Sequence, residues 1–195
     1  MSARRRRVAG WGLALLALAN GGVVIGLWAA TGGPADVHDV SSALTGAGRL
    51  AGLLGLEPLP EEGGLFRQTH ADEHSTAILA LLTGTDFSAL HVLDGPEAYH
   101  WHAGSPLRLL LLEPGGGVSE PVLGPDVAAG QLPQLVVPAG VWQGSAPAGG
   151  PTAWTLLGTT MAPPFSWDGF RLGRRAELVS AFPTARARIE ELTRG

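Results

Sequence analysis

From Leu65 onward the apolar residues fall into short runs, alternating or continuous, that Gly, Pro and Asp interrupt before a helical stripe can build up. These runs predict nine strands, at 65–69, 76–82, 88–93, 98–103, 107–112, 118–123, 134–137, 141–145 and 154–160. The run Leu107-Arg-Leu-Leu-Leu-Leu112, between Pro106 and Pro114, is too short to cross a membrane and reads as a buried central strand. Other stretches carry the helical period. Residues 41–54 place Leu44, Ala47, Leu50, Ala51 and Leu54 on one side, with Gly55 as the stop. Near the end, 174–182 and 184–192 predict two helices with faces built on Leu178 with Phe182 and on Ile189 with Leu192. Many short strands followed by such helices predict a mainly β sandwich or barrel whose outside or sheet edge the helices cover.

The chain begins differently. Residues 8–30 are uncharged and apolar apart from Asn20, which is long enough for a bilayer span of about 20 residues. Arg4 to Arg7 precede this run, and Trp11 and Trp28 stand near its ends. This pattern predicts a single membrane anchor, Val8 to Ala30, with a cytoplasmic N-terminus. Two alternatives stand beside it: a signal peptide cleaved after Ala17-Leu-Ala19, and a cytoplasmic protein with an atypical extension. The polar linker 31–39 follows, so the expected division is an N-terminal segment, 1–40, and a folded domain, 41–195.

Composition narrows the function classes. The 29 Gly and 15 Pro in 195 residues suit turns of a β-rich domain rather than a helix bundle. Every basic residue is arginine, and between Leu56 and Phe170 only Arg67 and Arg108 oppose a dozen carboxylates. With no basic stripe to neutralise phosphates, nucleic acid is not an expected partner. The absence of cysteine excludes disulfides, thiolate metal ligands and a cysteine nucleophile. There is no Gly-x-Ser-x-Gly elbow, His-Glu-x-x-His, P-loop or dinucleotide fingerprint.

The candidate chemistry gathers around Gly95-Pro-Glu-Ala-Tyr-His100-Trp-His102. Spaced by two on a strand, His100 and His102 project from one face, either into a barrel or out of it; facing inward they mark a pocket. His91 lies on the preceding strand across a short turn, so three imidazoles come within one hairpin, and register decides whether they share a face. Glu97 and Tyr99 are candidate acid–base groups. Tyr99 and His100, as neighbours, must point to opposite faces. Trp142 and Gln143 form a pair of which one points inward, and Trp101, Trp142, Phe165 and Trp167 are candidate ligand-lining or outer-core aromatics.

Residues 55–193 resemble the DUF985 cupins, with Gly55-Leu-Glu-Pro-Leu-Pro-Glu-Glu-Gly63-Gly-Leu-Phe-Arg67, Phe87-Ser-Ala-Leu-His91, 97–106, 123–131, Val136-Val-Pro-Ala-Gly-Val-Trp-Gln143 and Ala162-Pro-Pro-Phe165 in that family's order. The resemblance implies a cupin double-stranded β-helix, or jelly-roll barrel, related to the dTDP-sugar epimerases, and a homodimer. It implies a divalent-metal site built from His-x-His, a following Glu and a late His. Only the His-x-His is present, because Arg108 stands where Glu is often found and Gln143 where the last His stands. A guanidinium beside two imidazoles opposes a cation and suits an anion. No cofactor is therefore expected, with a divalent metal on His100 and His102 as the alternative. Residues 1–55 resemble the first membrane helix of actinobacterial ferric-reductase-like oxidoreductases, without their haem or flavin regions.

The combined expectation is a mainly β jelly roll with C-terminal helices and an N-terminal transmembrane-type helix. It binds a small polar molecule, carbohydrate-like or anionic, through Arg67, His91, Glu97, His100, His102, Arg108, Trp142 and Gln143. An epimerase- or isomerase-like or metal-dependent cupin enzyme is the alternative.

Overall fold

Alternating side chains need two different environments, and the strands of this protein supply them by packing as two sheets. The computed structural model describes residues 46–194, together with the backbone of β1 (Leu16–Ala17) and β2 (Val23–Val24). The chain divides into two units, Met1–Ser42 and Ala43–Gly195. In the first, β1 and β2 pair antiparallel, Leu16 opposite Val24. The rest of the expected anchor, Val8 to Ala30, lies outside the described residues, as does the linker. No helix among the described residues is long and apolar enough to cross a membrane.

The second unit runs α1 (Ala47–Leu54), β3 (Glu57–Pro58), β4 (Leu65–Ala71), β5 (Thr76–Thr83), β6 (Ser88–Leu93), β7 (Glu97–Gly104), β8 (Leu107–Leu112), β9 (Val118–Ser119), β10 (Val122–Leu123), β11 (Gln134–Val137), β12 (Trp142–Pro147), β13 (Trp154–Met161) and β14 (Phe170–Leu172). It closes with α2 (Arg175–Ala181) and α3 (Arg186–Glu191). One sheet has the order β11-β7-β13-β5-β4-β3; the other has β10-β8-β12-β6-β14, with β9 beside β8. From β5 on, the chain passes back and forth between the sheets, which is a jelly roll. Where a single strand was expected over 118–123, β9 and β10 are separate. Pro121 stands between them and has no N–H to offer the ladder.

Two cores explain the leucine-rich strand. Leu107 and Leu109 pack between the sheets with Tyr99, Leu123, Val137 and Leu157. Leu110 and Leu112 face the other way and pack with Leu90 under Leu178, Phe182, Ile189 and Leu192 of the C-terminal segment. β8 is thus buried on both faces, which is why its sequence does not alternate. Each such leucine contributes about 1.5–3 kcal/mol by leaving water. The segment is latched as well as packed. The Leu90 N–H donates to the Leu192 carbonyl at 2.8 Å, and Arg194 donates to Asp86 and lies over the Phe87 ring.

Candidate functional site

The site follows from the parity of β7. Glu97, Tyr99 and Trp101 face the other sheet, because the tyrosine and tryptophan rings bury far more apolar surface than the alternative row of Ala98, His100 and His102. His100 is on the outer face, half-buried, with the Thr160 hydroxyl 3.5 Å from its Nε2. At the next outward position the pairing with β13 shifts: Trp101 pairs with Leu157 and Ala103 with Leu156, leaving His102 bulged and exposed beside Gly158. The His-x-His pair therefore faces away from the barrel interior, contrary to its use as pocket or metal residues.

His91 and Gln143 do face inward, opposite each other on β6 and β12. The His91 Nδ1 is 2.8 Å from the Ala89 carbonyl, which can only accept, so that nitrogen carries the proton and Nε2 is left as an acceptor. Gln143 fills it, its amide donating to His91 Nε2 at 3.1 Å and to Glu97 Oε2 at 2.7 Å. The Thr159 and Tyr99 hydroxyls lie near the Glu97 carboxyl and influence it. Burial pushes the Glu97 carboxyl above the usual range, reinforced by the charge of Glu62 and only partly opposed by His91 and the donors. Burial, then the charges of Glu97 and Glu62, raise the Tyr99 hydroxyl well above its ordinary value.

Glu62 enters from the turn between β3 and β4, where its carboxylate accepts from Ser88 Oγ at 2.5 Å. That turn is conformationally demanding. Glu61 has φ 63° and Gly63 has φ 103°, and a Cβ on Gly63 would stand 2.7 Å from the Phe87 carbonyl oxygen. Asp86 fastens the turn by accepting from the Gly64 and Phe87 N–H groups, each at 2.8 Å, and from Arg194. Burial works to raise the Asp86 carboxyl, but these three donors outweigh it and hold it below the usual carboxylate range.

Together these groups bound a cavity of about 230 Å³ whose wall includes Glu62, His91, Glu97, Thr159 and Met161. Phe165, Trp167 and Phe170 form an aromatic cluster at its wall, with centroids 5.1–6.2 Å apart in edge-to-face pairs; Phe170 also stacks on His91 at 5.2 Å. A smaller recess adjoins it, sharing Glu62, Glu97 and Thr159 and adding Ser88, Tyr99 and Ser145.

Three other sequence candidates lie elsewhere. Arg108 projects from the outer face of β8 and pairs with Glu120 at 3.0 Å, which Arg188 also meets. Arg67 is exposed on the outer face of β4, since its neighbours Phe66 and Gln68 line the cavity. Trp142 faces the C-terminal helices, with Arg171 stacked 4.8 Å from its ring. Conversely, Glu62, Ser145, Thr159 and Phe170 were not singled out by the sequence. The two-residue alternation of β12 and β13 carried a signal for Ser145 and Thr159, and Glu62 lay in a quoted family motif.

The residues brought together do not fit the metal site expected of this architecture. His91 has only Nε2 to offer and Gln143 occupies it. Among the described residues no cluster of three His, Asp or Glu side chains is arranged to hold an ion.

A jelly roll around a mainly apolar cavity that carries a few polar groups defines a cupin-type barrel. Residues 49–173 match the family described as Cupin superfamily (DUF985), and the chain belongs to it. It is similar to a structural-genomics protein of Shewanella oneidensis, at 31% identity over 76% of this chain and 97% of that one, with a TM-score of 0.71. A hypothetical protein from Leishmania major is similar at 26% identity, covering 76% of this chain and 99% of that one, with a TM-score of 0.69. No curated protein matches the chain significantly.

Proposed function

We propose that the protein binds a small hydroxylated, carbohydrate-like molecule inside the barrel, between the Glu97–Gln143–His91 network and the aromatic wall. The cavity is the observation that carries this reading. Protein interiors leave few voids larger than water, and polar walls around one are costly unless something satisfies them. Here Ser145 Oγ, on the adjoining recess, is buried with no partner, and so is Oε1 of Gln143, which does not itself line the cavity but joins two groups that do, His91 and Glu97. The anionic version of the ligand is not retained, because Arg67 and Arg108, its intended partners, are on outer faces.

A second reading, an epimerase- or isomerase-like enzyme, is favoured by one observation: two groups of acid–base type, His91 and the Glu97 carboxyl that burial pushes above its usual range, line the same cavity and are bridged by Gln143. The family resemblance supports a homodimer, and the apolar run 8–30 supports membrane attachment. Sedimentation and membrane fractionation of the full chain check these.

Native mass spectrometry tests the binding reading. A small molecule carried by the wild-type protein, released on denaturation and missing from an Ile78→Trp variant that fills the cavity, is the expected result. A clean apo protein that neither glucose nor any other small hydroxylated probe stabilises would overturn it.

A further inference from the structure

The lining of the cavity is uneven in chemistry. Two carboxyl groups, Glu62 and Glu97, face it, and none of the described residues that line it is an arginine. His91 directs its Nδ1 toward the Ala89 carbonyl, and its Nε2 is met by Gln143. Among the described side chains, Ser88 is the one that donates to Glu62. Ser145, 1% exposed and without a partner, opens onto the recess that both carboxylates line.

Resting on the reading that this cavity binds a small molecule, we infer that its ligand is a hydroxylated molecule bearing a protonated amino group, which meets Glu62 and Glu97. An ammonium brings three donors and no acceptor, which suits the two carboxyl groups of this lining. It also neutralises carboxylates held among apolar walls, where their field is focused rather than screened by water. Phe165, Trp167 and Phe170 add ring surfaces that attract a cation and repel an anion. A neutral polyol supplies donors but leaves the charge uncompensated. A carboxylate or phosphate finds no arginine among the described lining residues and meets two carboxyl groups instead.

The test uses the full chain and two sets of probes matched in shape and differing in charge: glucosamine, glucose and glucuronate, then benzylamine, benzyl alcohol and benzoate. Affinities are measured by titration calorimetry and thermal shift on the wild type and on Glu62→Gln, Glu97→Gln and Ile78→Trp. The amine of at least one set is expected to bind tenfold or more tighter than its neutral and anionic congeners. Each Glu→Gln change is expected to remove most of that preference, read as the ratio of amine to neutral affinity within the same variant, and Ile78→Trp to abolish binding. Should Glu97→Gln fail to fold, the partly exposed Glu62 carries the test.

Neutral or anionic congeners that bind as tightly as the amines, and are lost in Ile78→Trp, would overturn the amine assignment and leave the cavity reading standing. An amine preference that survives Glu62→Gln and Glu97→Gln would mark attraction to the acidic surface and overturn the assignment too. If no probe binds in an Ile78-dependent way, both readings fall.

Discussion

Replacing Gln143 by Leu tests whether one amide holds the site together. Gln143 is 1% exposed and donates to two buried acceptors, Glu97 Oε2 at 2.7 Å and His91 Nε2 at 3.1 Å. Leucine is close enough in volume that no large void opens, but both acceptors lose their donor. Each buried group left unsatisfied costs about 1–3 kcal/mol, and the charged one lies toward the upper end. Against this, the change also removes Gln143 Oε1, which already lacks a partner, and recovers about 1 kcal/mol. The net loss is about 2–4 kcal/mol near pH 8, or a fall in Tm of roughly 5–15 °C for a domain of this size.

The same change carries a pH signature whose sign follows from Glu97. Its carboxyl is raised by burial and by the Glu62 charge, so the folded state increasingly bears the cost of its ionised form as pH rises above the ordinary carboxylate range. Gln143 is one of the donors opposing that rise. Without it the folded value climbs further, so the deficit of the variant widens toward alkaline pH and narrows in acid, where Glu97 is protonated with or without the amide. Denaturant titrations near pH 5 and near pH 8, run as a double-mutant cycle with Glu97→Gln, measure both effects. In the Glu97→Gln background the Gln143→Leu cost should drop by about 1 kcal/mol or more. A deficit below about 0.5 kcal/mol, or one indifferent to both pH and Glu97, refutes the reasoning.

Three further outcomes are expected. Gly63→Ala should cost about 2–4 kcal/mol, since a side chain at φ 103° is strained and its Cβ meets the Phe87 carbonyl; calorimetry reads the loss, and any cavity ligand should weaken because Glu62 moves with the turn. His100→Ala and His102→Ala, on the outer face, should each change stability by less than about 0.5 kcal/mol and leave cavity binding unaltered, and a titration showing lost binding would return them to the site. Asp86 has a depressed carboxyl, so the stability it contributes is present above the ordinary aspartate range and is lost as pH falls through its lowered value. Asp86→Asn should therefore flatten the acid limb of a stability-against-pH curve recorded by denaturant titration.

The strand runs were legible because hydrophobic alternation and turn residues are local properties, and each of the nine expected strands corresponds to a strand or, at 118–123, a pair of strands. The strands β3 and β14 were not legible. At two and three residues they have no period to detect and exist only through pairing with β4 and β6. Among the site residues, His91, Glu97 and Gln143 were singled out from the sequence and do converge, although no two of them are nearer than six positions apart in the chain. Their meeting depends on register between β6, β12 and β7, which sequence spacing does not determine.

The decisive ambiguity was a single parity. The segment from Glu97 to His102 offers two rows to the barrel, one carrying Glu97, Tyr99 and Trp101 and the other Ala98, His100 and His102. Motif resemblance draws attention to the histidines. Burial favours the rings, and the rings win because two aromatic side chains outweigh an alanine and two polar imidazoles by several kcal/mol of transfer free energy, at about 25 cal/mol per Å². The one-residue choice then propagates into chemistry. With the histidine row inside, the cavity would hold imidazoles suited to a metal; with the aromatic row inside, it holds a buried carboxyl to which Gln143 donates. Arg108 is excluded by the same rule, since Leu107 and Leu109 on either side of it take the interior. That Glu97, rather than the histidine pair or Arg108, lines the cavity is thus a consequence of which apolar side chains the strands had to bury.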